Sequence, residues 1–110
     1  MIDCIFCKII QKQKPADFIF EDEHITVFKD IHPKAPIHLL IIPKTHIKSL
    51  AEVSEKEAHL IAHMLLVMPS LAIRQGLKGF RTIINTGKDG GQVIDHLHFH
   101  LLGGDHLSSM

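Results

Sequence analysis

The chain has no net charge to direct it: twelve Lys and Arg residues offset twelve Asp and Glu residues over 110 positions. That balance excludes a broad electrostatic pull toward nucleic acid or anionic lipid, so an anionic ligand must be held by local groups. Long hydrophobic runs are also missing. The most apolar stretch, Ile37 to Pro43, contains His38 and is far shorter than the roughly 20 residues of a membrane span. The first residues lack the apolar core of a signal peptide, which makes the cytoplasm the expected compartment. Two cysteines in CIFC spacing cannot build a disulfide framework and leave a metal site, a redox pair or two small core residues as readings. There is no repeat, linker or low-complexity block, and the length fits a single domain over 1–110.

What is present in excess is histidine, ten residues in a chain that is 45% hydrophobic. Each imidazole needs a partner when buried and titrates near neutrality when exposed. The hydrophobic pattern predicts their framework. Asp3 can cap a short helix in which Ile5, Phe6, Ile9 and Ile10 share one side, closed by Pro15. Phe18 to Glu21 and Ile25 to Lys29 read as a hairpin around Asp22-Glu23-His24, and His38 to Ile42 as a third strand ended by Pro43. Ser54 and Glu57 form a capping box, with Val53 and Ala58 placed as a staple, for a long helix. Its expected buried stripe is Ala58, Ile61, Ala62, Leu65, Ala72 and Ile73, supplemented by Leu66 and Met68. Pro69 predicts a kink or two helical pieces ending near Gly76, since an interior proline costs about 3 kcal/mol. Gly79 to Asn85 and His96 to Leu102 complete five strands. The order predicts an α+β fold with a five-stranded antiparallel sheet, a short N-terminal helix and one long helix. Its core is thin enough that an oligomeric interface would help to close it.

In His96-Leu97-His98-Phe99-His100-Leu101 the strand period of two puts the imidazoles on one side and the apolar residues on the other, with successive histidines about 6.6 Å apart. Such a face suits contacts with successive parts of one ligand; a solvated or purely metal-binding face is the alternative. Asn85-Thr-Gly-Lys-Asp-Gly-Gly-Gln immediately precedes it, supplying an amide and flexible backbone donors suited to phosphate. The segment lacks the order of a Walker A loop, so its value lies in the coupling to the histidines.

The segment HLHFHLLGG at 96 to 104 resembles the signature of the histidine triad family. IFCKII at 5 to 10, FKDI at 28 to 31, PIHLLIIP at 36 to 43 and NTGKDGGQ at 85 to 92 resemble its nucleotide-binding, phosphoramidase branch. The resemblance implies a homodimer whose two sheets join into one of ten strands, with a purine nucleotide pocket in each protomer. It implies hydrolysis of purine nucleoside phosphoramidates and related monophosphate conjugates. His98 matches the nucleophile, and His96, His100 and His38 match the histidines around it. Asp30 matches the ribose-binding acid. Phe6, Ile9, Phe28, Ile31 and Leu40 match base-pocket positions, although each also reads as a plain core residue, and Asp30 as a turn cap. Asn85 and Gly91 match phosphate contacts, and Val93 stands where some relatives carry a serine near the leaving group. Asp95 replaces a tyrosine of closer relatives, and the chain stops soon after Gly104, where relatives have a longer tail.

The resemblance to related nucleotide-transferring enzymes and some bacterial triad proteins further implies that Cys4 and Cys7 join His46 and His96 around a structural zinc. Catalysis itself would need no cofactor. His59 and His63, one turn apart on the long helix, can bind metal or simply face solvent. The competing functional readings are a dinucleoside polyphosphate hydrolase, a nucleotide-binding interaction protein without turnover and, more remotely, a metal-storage domain. No nucleic acid or membrane partner is expected.

Overall fold

A computed structural model describes residues 3–108. Five strands, β1 (Phe18–Glu21), β2 (Ile25–Lys29), β3 (Ile37–Pro43), β4 (Phe80–Ile83) and β5 (Phe99–Gly103), form one antiparallel sheet in the order β1-β2-β3-β5-β4. Two helices, α1 (Ile5–Ile10) and α2 (Ala58–Arg74), pack on it. None of the described helices is long and apolar enough to cross a membrane.

The central strand β3 is buried almost throughout, which explains its nearly continuous apolar run: residues on both faces are covered. Leu39 and Ile41, with Ile25, Val27, Phe99 and Leu101, pack beneath Met64, Met68 and Leu71 of α2. Leu40 and Ile42, with Phe28, pack beneath Phe6 and Ile9 of α1. Strand alternation therefore feeds two cores, one under each helix. The imidazoles belong to the α1 side.

Several local expectations change. α1 is capped by Cys4, not Asp3, the Cys4 sulfur accepting from the Cys7 backbone N–H. The Ser54–Glu57 capping box forms, but over a single 3-10 turn that leads into α2. The helix buries Met64, Met68, Leu71 and Ala72, whereas Ala58 and Ala62 are exposed and Leu65, Leu66 and Ile73 are 42%, 74% and 75% exposed. Met68 and Ala72 are buried as expected and Ile61 packs at the margin of the core; the rest of the expected stripe turns outward because so much of this helix is apolar that its pattern does not select one face. α2 also runs without a break through Pro69, so the reading as two pieces fails. Pro69 and Leu65 are both exposed, which leaves the Leu65 carbonyl freed by the missing proline N–H accessible to water. β4 is shorter than expected, and hydrogen-bonded pairing in β5 begins only at Phe99, after His96 and His98.

Candidate functional site

The hairpin expected around Asp22 pairs β1 with β2, β2 pairs in turn with β3, and β5 lies on the other side of β3. Opposing Leu40 and His100 in register carries the histidine face against α1. Phe6 is the common neighbour: its ring meets those of Phe28, His96 and His98 edge to face, at centroid separations of 5.6, 5.8 and 5.2 Å. A helix of six residues has little stability of its own, so this aromatic contact is part of what holds α1 in place.

A cavity of about 540 Å3 opens beside it. Phe6, Ile9, Phe28 and Leu40 form apolar lining, Asp30, Asn85, His98 and His100 polar lining, and Ile31, Gly91 and Val93 further parts of the wall. Ile31 and Val93 are largely exposed, at 83% and 91%. The structure thus gathers into one cavity residues drawn from α1, β2, β3, the 85–93 segment and β5. His38 lies outside it and lines a second cavity of about 600 Å3, which shares Asp30, Lys34, Asn85 and His100 with the first and adds Arg81.

Hydrogen bonds fix the imidazole tautomers. A backbone carbonyl can only accept, so His98 Nδ1, 2.6 Å from the His96 carbonyl oxygen, must carry a proton; in the neutral ring Nε2 then holds the lone pair. The Lys34 N–H donates to His38 Nδ1 at 3.0 Å, which leaves the proton of neutral His38 on Nε2. That Nε2 is 2.9 Å from His100 Nδ1 and 3.4 Å from Asp30 Oδ2. His100 Nδ1 consequently accepts, and the neutral His100 ring carries its proton on Nε2. Burial, reinforced by the neighbouring His98 and His38 imidazoles and opposed by Asp30, pushes the His100 pKa down to about 4. Burial also lowers that of His38, against the pull of the Asp30 carboxylate.

His96 separates from its two partners. Fully buried, it lines neither cavity. Its Nε2 donates to the Pro43 carbonyl at 2.8 Å, which leaves the Nδ1 lone pair pointing to sulfur: 3.4 Å from Cys4 Sγ and 3.6 Å from Cys7 Sγ. His46 Nδ1 is 3.3 Å from Cys7 Sγ, and ligand atoms of all four residues lie within 4.8 Å of one another. Bonds of about 2.3 Å to sulfur and about 2.05 Å to nitrogen at tetrahedral angles place the two donors about 3.5 Å apart. The donor set and its spacing therefore fit a tetrahedral zinc ion. The carbonyl behind His96 supplies the outer-shell bond that fixes the ligating tautomer.

The 85–93 segment is less free than its glycines suggested. Gly91 N–H donates to the Lys88 carbonyl and Gln92 N–H to that of Gly87, both at 3.0 Å, so the backbone donor expected at Gly91 is spent inside the loop. Gly91 instead takes φ +87°, a conformation that favours glycine. Asn85 Nδ2 donates to the Gly90 carbonyl at 3.0 Å. Gln92, to which the sequence assigned no role, is the anchor: its Oε1 accepts from Gly87 N–H, and its Nε2 donates to the Lys48 and Ile94 carbonyls. Nothing in its local pattern distinguishes it, because the Lys48 carbonyl that anchors the loop to the rest of the fold lies 44 residues away.

The profile of the family described as "Scavenger mRNA decapping enzyme C-term binding" matches residues 3–110. Protein HitA of Neisseria gonorrhoeae is 50% identical over 94% of this chain and 97% of its own. A HIT family hydrolase from Legionella pneumophila superposes with a TM-score of 0.94 at 44% identity, covering 96% of each chain. A zinc-bound histidine triad family protein from Mycobacterium smegmatis superposes at 0.83 and 32% identity, over 96% of this chain and 80% of that one.

The hydrogen-bond pattern makes a prediction about acid. Because the folded-state pKa values of His100 and His38 lie below the usual value near 6.5, the unfolded chain binds more protons as pH falls below that value. Their contribution to stability should be complete above about pH 6.5 and decline toward about pH 4, where His100 itself protonates. Ring nitrogen shifts from NMR, followed against pH alongside urea unfolding, check this. A His100 ring that becomes cationic near pH 6.5 in the folded protein contradicts the assignment.

Proposed function

Because the chain belongs to the histidine triad family, we propose that it is a hydrolase of purine nucleoside phosphoramidates and related nucleoside monophosphate conjugates, acting through a nucleotidyl-histidine intermediate on His98. The observation that carries this reading is the bond from His98 Nδ1–H to the His96 carbonyl. It leaves Nε2 with its lone pair on a residue lining a cavity that has one apolar and one polar portion, and no other base is needed to activate it.

The apolar portion, Phe6, Ile9, Phe28 and Leu40, suits a purine ring, and Ile31 extends it toward solvent. Asp30 offers carboxylate oxygens to the ribose hydroxyls. The second Asn85 N–H and His100 Nε2–H serve the phosphoryl oxygens, while Gly91 contributes the space left by its missing side chain. In the first step His98 Nε2 attacks the α-phosphorus. The bond from phosphorus to the leaving nitrogen breaks, and the amine departs with that electron pair and a proton taken from the water-exposed mouth. In the second step water attacks the same phosphorus, the bond to Nε2 returns its electrons to the ring, the water's proton is lost to solvent and the monophosphate leaves. His38 is a positioning residue acting through His100, and His96 one acting through His98. Val93 brings no hydroxyl to the leaving group. Lys34, which lines both cavities, and Arg81 on the adjoining one favour a second substrate class with an anionic leaving group, the dinucleoside polyphosphates.

Cys4, Cys7, His46 and His96 would hold a structural zinc. With all four positions taken by protein, the ion supplies cross-linking of α1 to the sheet, and the zinc-bound mycobacterial relative supports the assignment. A homodimer completes the reading. Among the described residues the edge strand β4 pairs on one side only, Phe80 on it is 39% exposed, and Leu66 and Ile73 present apolar surface on α2. Pairing of two β4 edges would join the sheets into one.

Three outcomes are expected. Rapid-quench mass spectrometry with an adenosine phosphoramidate should trap a nucleotide adduct on His98, and His98→Ala should lower turnover by at least about a thousandfold. Undiminished hydrolysis in that variant, an adduct on another residue, or saturable nucleotide binding with no leaving-group burst would overturn the mechanism; a parallel panel with dinucleoside polyphosphates decides the leaving-group class. Purification without chelator should give one zinc per chain, and its removal should lower the melting temperature; a metal-free chain that keeps its fold and takes up no zinc sinks the assignment. In sedimentation the protein should run at twice the single-chain mass, and persistence of the single-chain mass through the micromolar range removes the dimer.

A further inference from the structure

Three histidines unused by the nucleotide cavity and the cysteine cluster meet where the β1–β2 turn touches the first half of α2. His24, His59 and His63, with Leu60, line a cavity of about 180 Å3. His59 and His63 are four residues apart on one helix face, so their side chains rise together. His24 approaches from the turn, its ring centroid 6.4 Å from that of His63 at an interplanar angle of 83°.

Asp22 organises this meeting. Its Oδ1 accepts from the backbone N–H groups of His24 and Ile25 at 2.8 and 2.9 Å, shaping the turn, and its Oδ2 lies 2.7 Å from His63 Nε2. A carboxylate oxygen accepts, so Nε2 carries the His63 proton and the lone pair of the neutral ring sits on Nδ1. This repeats the arrangement at His96, where an outer acceptor holds Nε2–H and leaves Nδ1 available.

We infer that His24, His59 and His63 form a second, exchangeable site for a divalent first-row transition ion such as Ni2+, Cu2+ or Zn2+, with Asp22 as the outer-shell partner of His63. Imidazole donors select these ions; Mg2+ and Ca2+ require oxygen ligands. Metal–nitrogen bonds of about 2.05 Å bring neighbouring ligated imidazole centroids to roughly 4.5 Å at right angles and roughly 5.2 Å at tetrahedral ones. The ring nitrogens of the three are not all within 4.8 Å of one another as they stand, so His24 must close on His63 by roughly 1 to 2 Å; the exposed side chains of His24 and His59 are free to rotate inward. The bound ion would clip the hairpin turn to α2, on elements separate from the β4 edge.

The test titrates the protein as purified, its metal content first measured, with Ni2+ in a calorimeter. The wild-type chain should take up one further equivalent with micromolar affinity, and its melting temperature should rise with Ni2+. His24→Gln, His59→Gln and His63→Gln should each weaken that binding at least about tenfold, and Asp22→Asn should weaken it less. His106→Gln, a histidine outside the cluster, should leave it unchanged. Absence of the further equivalent overturns the site. So does an affinity that His24→Gln leaves intact, which would assign the ion to the helical pair alone, or one that His106→Gln lowers equally.

Discussion

His96 ties the two halves of the site together, because one residue serves both through different atoms. Its side chain is fixed between the Pro43 carbonyl and the two cysteine sulfurs, and its own carbonyl receives the His98 Nδ1 proton. A shift of His96 would move both the cluster and the acceptor that sets the His98 tautomer. The six-residue helix α1 depends on the same point, since Cys4 caps it and Cys7 lies within it. Phe6, between them in sequence, packs on both His96 and His98. The cysteine–histidine cluster, the apolar end of the cavity and the candidate nucleophile are therefore positioned by overlapping contacts.

The two faces of the sheet divide the work. The α2 face is an apolar layer built around Phe99, Leu101, Leu39 and Ile41, where close packing resists displacement. The opposite face carries the histidines over Phe28 and Leu40. Because alternate residues of the same strands supply both, the rigid layer transmits its order directly to the reactive one. His100 is held between the β3 and β4 backbones by register with Leu40 and Ile83, and its ring is held by His38. Such side chains on a strand are better preorganised than the same groups on a free loop.

The 85–93 segment reaches similar order by another route. Glycine at 87 and 91 permits a backbone path with positive φ, and Gln92 then locks that path to Lys48 and Ile94. The loop's amide hydrogens are partly consumed in the process. Under the proposed function it would offer a phosphate shape and the remaining Asn85 donor, rather than the open row of N–H groups that a run of glycines suggests.

The sequence by itself determined the features that depend on local spacing. The strand period sets His100 against Phe99 and Leu101, and His96 and His98 keep the same alternation against Leu97 on the stretch leading into β5. The Ser54–Glu57 box and the one-turn spacing of Cys4 and Cys7 follow from helical geometry. Tertiary structure decided what spacing leaves degenerate. α2 is apolar around much of its circumference, so only contact with Ile41 and Phe99 selects Met64 and Met68 as its buried residues and leaves Leu66 and Ile73 outside. Solvent at Pro69 made an unbroken helix tolerable. The sending of His96 to sulfur while His98 and His100 line the cavity was set by where α1 and the His46 loop arrive, and the anchoring role of Gln92 by the carbonyl contributed from Lys48. Local pattern fixes which way a side chain points; the partner it finds there comes from parts of the chain that only folding brings near.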